Sequence, residues 1–473
     1  MDNDIIKFLG IKEAGIRVLK VSDTKTSHIV TIEKELTSHY CPICGMRMYS
    51  KGIYTRRVNH PVMQDGRSVI LEILQRRWQC TNPECKDIET DQFSFVEKRR
   101  RNTNMSDILI VQAFKNHEAS ASSIAKRFSV SDTHVITTFA RYVDMPRRQL
   151  PEILCVDEVH LNISKKYKYA LVLQDFVTGE PVDLVATRRE ELTLPYFSGI
   201  PITERRHVRY IISDMYKPYL EYIDKYFPNA VSVVDSFHVI QLINRYFLSY
   251  IRKVQHELDA RDRAEHDNRE QMFHRRLPFK HSKEYLMLKK YHWMLLKNPD
   301  SIHYYSQPKL DKIQNRMMNT YDYFEYLYSL DGSFKQRKML RDKYIAFNKK
   351  YGGDPKSARP ALKELIRLYR SNRYKMFQDI SYTLEEFFEQ IINSFVLVKQ
   401  NKLEDSYQRR LSNGPIEALN RIPKDMKRIG RGYLNFEHIR NRFLFSQRKN
   451  AAILASPKPL SEVLIKRIQP VDE

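Results

Sequence analysis

Two apolar runs in the middle of this chain each lead into an acid, and they constrain the fold more than any other feature. Ile153-Leu154-Cys155-Val156 leads into Asp157, and Tyr210-Ile211-Ile212-Ser213 leads into Asp214. Both runs read as buried strands. A carboxylate inside or at the end of such a strand is costly to desolvate unless it is paired or holds a cation. A third acid, Glu417, opens a helix in Ser412-Asn413-Gly414-Pro415-Ile416-Glu417. Two strand acids and a helical Glu form a hard oxygen set suited to Mg2+ or Mn2+.

The surrounding pattern supports a sheet around these acids. Strands are expected at Ile153–Val159, Tyr169–Asp175, Val182–Thr187, Val208–Asp214 and Ala230–Asp235, with a helix at Tyr216–Tyr226 before the last. This order fits a mixed RNase H-like sheet, in which Asp157 sits on the central first strand and Asp214 ends its neighbour. From Val239 to about residue 400 the spacing is helical. Each acid also has a plainer reading. Asp214 can cap the helix near Tyr216, Glu417 can assist its own helix start, and Glu158 points to the opposite face from Asp157. Asp235, in Val233-Val234-Asp235-Ser236-Phe237-His238, is a further strand-end acid that can join or support the site.

The chain has 473 residues, enough for several domains, and a net charge of +23 with a pI of about 9.6. Such an excess points to a polyanionic partner, and nucleic acid is the usual one. The start Met1-Asp2-Asn3-Asp4 is acidic and is not expected to be a secretory leader. No apolar run approaches the roughly 18 residues needed to span a bilayer. A membrane role is therefore not expected, and the chain is placed in the cytoplasm.

In a reducing compartment the cysteines are ligands or bystanders rather than disulfides. Cys41-Pro42-Ile43-Cys44 and Cys80-Thr81-Asn82-Pro83-Glu84-Cys85 are two tight pairs, separated by enough chain for a small sheet. Two such turns make a tetrahedral thiolate cage for a structural Zn2+ with no open position. Gly45 follows the first pair, where positive φ is useful. Cys155 stands alone in a strand and reads as core. Arg56, Arg57, Arg76 and Arg77 surround this ribbon.

After a basic run, Lys98-Arg99-Arg100-Arg101, the spacing becomes helical. Ala119–Phe128 and Ser131–Tyr142 read as two short helices joined at Ser129-Val130. Ile124, Ala125 and Phe128 on the first and Val135, Ile136 and Phe139 on the second have core spacing. Ser131 and Asp132 are N-cap residues. As a helix-turn-helix, the second helix would turn Ser131, Asp132, Thr133, His134, Thr137 and Thr138 toward the major groove. An ordinary helical hairpin is the alternative.

In combination these motifs resemble the bacterial insertion-sequence transposases of the ISL-three family, part of the DDE group. The resemblance runs over nearly the full length. It rests on the cysteine ribbon with Arg76-Arg77-Trp78-Gln79-Cys80, the helix-turn-helix, Val156-Asp157-Glu158, Ser213-Asp214-Met215-Tyr216-Lys217-Pro218-Tyr219, and Val234-Asp235-Ser236-Phe237-His238-Val239. Trp293-Met294-Leu295-Leu296-Lys297-Asn298 is a further match. The densest is Ser412–Asn420, followed by Lys427-Arg428, Gly430, Gly432-Tyr433, Asn435-Phe436 and Arg440-Asn441-Arg442.

The resemblance implies a multidomain α+β protein. Residues 1–98 form a β/zinc-ribbon domain and 99–148 a helix-turn-helix domain. Residues 149–238 are the first part of an RNase H-like core, 239–400 a helical insertion, and 401–473 the last part with a basic C-terminal region. Asp157, Asp214 and Glu417 would be the catalytic Mg2+ (or Mn2+) ligands, with Asp235 and His238 supporting them. Cys41, Cys44, Cys80 and Cys85 would hold Zn2+. The implied activity is cleavage at the terminal inverted repeats of an element, then attack of the freed 3′-OH on target DNA. The implied partner is double-stranded DNA, bound by a homodimer or larger assembly in the bacterial cytoplasm with the nucleoid, and no small-molecule substrate is involved. Ser131, Thr133, His134, Thr137, Arg99, Arg100, Arg101, Lys427, Arg428 and Arg431 are the expected DNA contacts. Arg409, Arg410 and Lys424 are further phosphate candidates. A DNA-binding regulator with a degenerate core and a structure-specific nuclease or resolvase remain as alternatives.

Overall fold

The computed structural model describes residues 2–64, 67–162, 168–187, 189–402, 405–430 and 435–463. After helix α1 (Asp2–Phe8), strands β1 (Ile16–Asp23), β2 (Ser27–Lys34), β3 (Met48–Gln64), β4 (Arg67–Cys80) and β5 (Ile88–Thr90) form one sheet. Its order is β1-β2-β4-β3, with β5 paired to β4. The long β3–β4 hairpin spans the stretch between the cysteine pairs. Its outer end carries the cysteines, while its middle buries Val58, Val69, Leu71 and Ile73 against α1 and β2. Alternate residues of β4 are buried, as expected of a strand with one face on a core. β3 was not expected, because its Gly52, Pro61 and four Lys, Arg and His residues interrupt the alternation.

Three helices follow: α2 (Asn104–Ala113), α3 (Ala121–Phe128) and α4 (Asp132–Tyr142). Ser120 caps α3 by accepting from the Ser123 N–H, and Ser131 caps α4 by accepting from the His134 N–H. Ser129, with φ of 53°, ends α3 in the left-handed region and makes the tight turn between them. These helices are not a detached unit. Ile110, Phe114, Val135 and Phe139 share one core with Phe443 and Phe445 near the C-terminus and with Cys155 and Val159 of the central sheet. A continuous core of this kind packs α2, α3 and α4 onto the sheet.

The second sheet contains β6 (Ile153–His160), β7 (Tyr169–Asp175), β8 (Pro181–Val185), β9 (Tyr210–Ser213) and β10 (Val231–Val234), in the order β10-β9-β6-β7-β8. β6 runs parallel to β9, and β9 parallel to β10, while β7 and β8 are antiparallel additions. Crossovers pass through α5 (Glu190–Ser198) and α6 (Ile202–His207), then α7 (Lys217–Tyr226). α5 and α6 were not expected within the strand-rich stretch. One face of the sheet packs Leu154, Val156, Ile211, Ile223 and Phe227; the other packs Cys155, Val159, Ile212 and Val233.

α8 (Ser236–Phe273) leaves the sheet as a helix roughly 57 Å long at 1.5 Å per residue. It opens a helical body of α9 (Lys283–Tyr291), α10 (Trp293–Leu296), α11 (Thr320–Leu330), α12 (Phe334–Lys350), α13 (Pro355–Arg370), α14 (Lys375–Glu386) and α15 (Phe388–Asn393). A small hairpin, β11 (Lys309–Asp311) and β12 (Arg316–Met318), interrupts it. This body has its own core, including Phe247, Leu327, Tyr344, Leu362 and Phe377. The buried Arg341 guanidinium ties it together, donating to Asn244 at 2.7 Å, Asp342 at 2.6 Å and Asn298 at 2.9 Å. The chain returns through the hairpin β13 (Leu397–Lys402) and β14 (Asp405–Arg410), then α16 (Gly414–Leu419), α17 (Arg421–Ile429) and α18 (Phe436–Gln447). No helix among the described residues is long and apolar enough to cross a membrane.

Candidate functional site

The register of the parallel strands puts three acids in a row. Cys155 pairs with Ile212, so two residues further on Asp157 is level with Asp214. Val234 pairs with Ser213, so one residue further on Asp235 is level with Asp214 as well. Alternation sets the face: Cys155, Ile212 and Val233 all lie in the core on the α18 side, and residues two positions on point the same way. Glu158 follows Val156 to the opposite face. The row lies at the carboxyl ends of neighbouring parallel strands, which sit about 4.8 Å apart, a common place for ligand sites.

α16 closes over this row. Ile416 and Leu419 are buried in the same core as Cys155 and Val159, and the Pro415 carbonyl accepts from Gln174 Nε2 of β7 at 3.4 Å. Pro415 starts the helix, and Glu417 lies in its first turn. Docked this way, Glu417 is near enough to act electrostatically on His238 at the start of α8. His238 Nε2 lies 2.7 Å from Asp214 Oδ1. Burial alone would lower the His238 pKa, but this contact and the carboxylates of Asp214, Asp235 and Glu417 outweigh it and raise the value. Asp157 is pushed up to about 7, first by burial and then by the neighbouring Asp214 charge. Two acids that repel each other here are what a bound cation would relieve.

Asp235 is buried and fully employed. Its Oδ1 accepts from the Phe237 N–H at 2.8 Å, capping α8, and its Oδ2 accepts from the Asn413 N–H at 2.8 Å. Asp214 is not a helix cap: Tyr216 is the N-cap residue of α7, which has no side-chain cap. Two asparagines that sequence reasoning passed over reach the aspartates. Asn413 Nδ2 lies 3.0 Å from Asp214 Oδ1 and 3.0 Å from His238 Nε2, and Asn420 Nδ2 donates to Asp157 Oδ2 at 2.6 Å. Their signal in the sequence was spacing: positions 413, 417 and 420 fall on one helical face. The oxygens of Asp157, Asp214 and Glu417 do not all lie within 4.8 Å of one another. Among the described residues, only the four cysteines and the surface trio His266, Asp267 and Glu270 are that tight.

The expected DNA-contacting residues divide. Ser131 and Thr133 lie exposed on the first turn of α4, with Asp132 beside them, and Thr137 is half-buried. Thr138 is buried and His134 turns inward, its Nε2 3.1 Å from Asn102 Nδ2 and 3.3 Å from Asp107 Oδ1. Arg99 and Arg101 are exposed, whereas Arg100 pairs with the buried Asp107 at 2.6 Å. Lys427 donates to the Leu161 carbonyl and so ties α17 to the end of β6. Arg428 is exposed beside Asp425, and Lys424 is exposed; Arg431 lies outside the described residues. Arg409 lies over the Phe176 ring, and Arg410 donates to Asn348 and Ser394, tying β14 to the helical body.

The cysteines meet as their pairing required. Cys41 Sγ lies 3.7 Å from Cys85 Sγ, and Cys44 Sγ 3.4 Å from Cys80 Sγ, with all four sulfurs within 4.8 Å of one another. Tetrahedral Zn–S bonds of about 2.3 Å place sulfurs roughly 3.8 Å apart, so the donor set and its spacing fit Zn2+. Gly45, at φ 71°, and Lys86, at φ 50°, make the two knuckle turns. Cys155 is fully buried in the central sheet, away from this cluster.

No curated protein matches the chain. Residues 154–443, more than half of its 473 residues, match the family model described as transposase, of the DDE ISL-three type. That span holds Asp157, Asp214 and Glu417, and on this match the chain belongs to the ISL-three family of DDE transposases.

Proposed function

We propose that the protein binds the terminal inverted repeats of its own insertion sequence, nicks DNA at each end and joins the freed 3′-OH to target DNA. The observation that carries this reading is the row of Asp157 and Asp214 on adjacent parallel strands, with the Glu417 helix docked on the same face. The strand order, with β6 between β9 and β7, supports an RNase H-like core. Asp157, Asp214 and Glu417 are the residues that would hold Mg2+ or Mn2+. When bound, such ions neutralise phosphate charge and polarise the reacting oxygens. The burial and the neighbouring Asp214 charge that together raise Asp157, and the all-oxygen donor set, both fit a divalent cation.

The chain's own residues do the rest. Asp235 and Asn413 hold the α16 entry against the ends of β9 and α8. His238 braces Asp214. The cysteine-rich sheet, as a zinc ribbon, and the α3–α4 helix-turn-helix supply end recognition. Exposed cations such as Arg99, Arg101 and Arg428 bind phosphate, which makes affinity fall steeply with salt. The core that α2, α3 and α4 share with the central sheet would pass end binding to the site. Two ends are cut and joined together, so the working form is a dimer or larger assembly on DNA.

The test is a cleavage and strand-transfer assay on a labelled element end with Mg2+, comparing wild type with Glu417→Gln and Asp214→Asn. Metal-dependent nicks and joined products, lost in both variants while end binding persists, are the expected result. End binding with no cleavage in Mg2+ or Mn2+ would refute the catalytic reading and leave a DNA-binding regulator. Cleavage of junctions or flaps without joining would indicate a nuclease.

A further inference from the structure

Asn413 and Asn420 lie four residues before and three after Glu417, and both carboxamides are buried. Helical bonds run through the segment: the Glu417 N–H donates to the Asn413 carbonyl at 3.0 Å, and the Asn420 N–H to the Ile416 carbonyl at 2.8 Å. At 100° per residue the three side chains share one face, with Glu417 between the asparagines. Each asparagine grips a different strand. Asn413 reaches Asp214 at the end of β9 at 3.0 Å, and Asn420 reaches Asp157 of β6 at 2.6 Å. In both, the amide oxygen is buried with no partner. An orphaned buried carbonyl is costly and calls for an explanation. Stability alone would favour an apolar side chain at each position, so the asparagines are kept for what their N–H groups hold.

We propose that Asn413 and Asn420 are positioning residues that set the distance of Glu417 from Asp214 and Asp157, and that they control how tightly the site takes a divalent cation. This rests on the reading of Asp157, Asp214 and Glu417 as the cation site. The bond to Asn420 fixes the Asp157 carboxylate in one rotamer, and Asn413 does the same for Asp214 through one Nδ2. Without them each carboxylate keeps one contact, Asp157 Oδ1 with the Glu158 N–H and Asp214 Oδ1 with His238, both at 2.7 Å, and more of the ordering falls to the cation.

The experiment titrates Mn2+ alone into the zinc-loaded full chain by calorimetry. It compares wild type, Asn413→Leu, Asn420→Leu and Asp157→Asn, with thermal unfolding and element-end binding measured on each. Leucine keeps the branched shape and removes the donor. Each leucine variant is expected to weaken Mn2+ binding about tenfold or more, the worth of a hydrogen bond to a charged group, and to raise the Mg2+ concentration for half-maximal nicking in parallel. End binding and unfolding temperature stay near wild type. Folded leucine variants with Mn2+ affinity within twofold of wild type, beside a loss in Asp157→Asn, would overturn the positioning role alone. Wild-type Mn2+ binding by Asp157→Asn would instead overturn the cation site itself. If a leucine variant fails to fold, Asn420→Ser and Asn413→Ser replace it, with the same readings.

Discussion

Asp235 offers a sharp test of how the site is held. Its two oxygens do separate jobs: Oδ1 caps α8 through the Phe237 N–H, and Oδ2 satisfies the buried Asn413 N–H, both at 2.8 Å. Asp235→Ala removes the cap, worth about 0.5–2 kcal/mol. It also orphans a buried N–H, at about 1–3 kcal/mol. The local cost is therefore roughly 3 kcal/mol, or about a hundredfold in the opening equilibrium at 1.36 kcal/mol per tenfold. Asp235→Asn separates the jobs. With its oxygen toward Phe237 it keeps the cap but points an NH2 group at the Asn413 N–H. Amide-resolved hydrogen exchange by mass spectrometry reads both positions. In Asp235→Ala, protection is expected to drop at Phe237 and Asn413 together; in Asp235→Asn it drops at Asn413 and persists at Phe237. Wild-type protection at Asn413 in the alanine variant would refute the claim that Asp235 anchors the Glu417 helix.

Three further outcomes follow from the packing. Chelation of zinc, or Cys44→Ser, is expected to expose Arg47, Lys51 and Lys86 to trypsin while exchange protection of the central sheet stays intact, because the cysteine cluster packs apart from that core; simultaneous loss of both would show a single cooperative unit. Arg100→Ala leaves the buried Asp107 without its charged partner, a loss of up to about 3–5 kcal/mol that His134 partly offsets; unfolding temperature and DNA affinity should fall together, whereas Arg99→Ala and Arg101→Ala change stability by about 0.5 kcal/mol or less and lower affinity alone. An Arg100→Ala protein of unchanged stability would contradict this pairing. Burial pushes the Cys155 thiol well up, so a maleimide should label Cys155 only after denaturation; labelling of the native protein would show that β6 is open to solvent.

Much of this protein was legible as pattern. Alternating and continuous apolar runs marked β6, β7 and β9, because a strand buried on both faces has no other way to be written. Paired cysteines marked the four-sulfur cluster, since two tight turns bring the sulfurs together. The serine cap at 131 marked a helix start, because cap chemistry is local, whereas the cap at Ser120 emerged only in the structure. The long β3 and the helices α5 and α6 were not legible: Gly52, Pro61 and the charges break the alternation of β3, Pro195 lies inside α5, and α6 is short with no buried residue. Tertiary structure also decided what each polar group is for. Arg100 and His134 read as DNA contacts in a basic helix-turn-helix, yet the buried Asp107 claims both. Asn413 and Asn420 read as turn and helix residues until α16 docks and brings them onto Asp214 and Asp157. The sequence by itself determined the central strands β6, β7 and β9, the α3–α4 pair and the cysteine turns, because those depend on residues a few positions apart. Only the tertiary structure decided which acids share a face and what holds them there, because strand register aligns residues 57 positions apart and helix docking joins residues 199 and 263 positions apart.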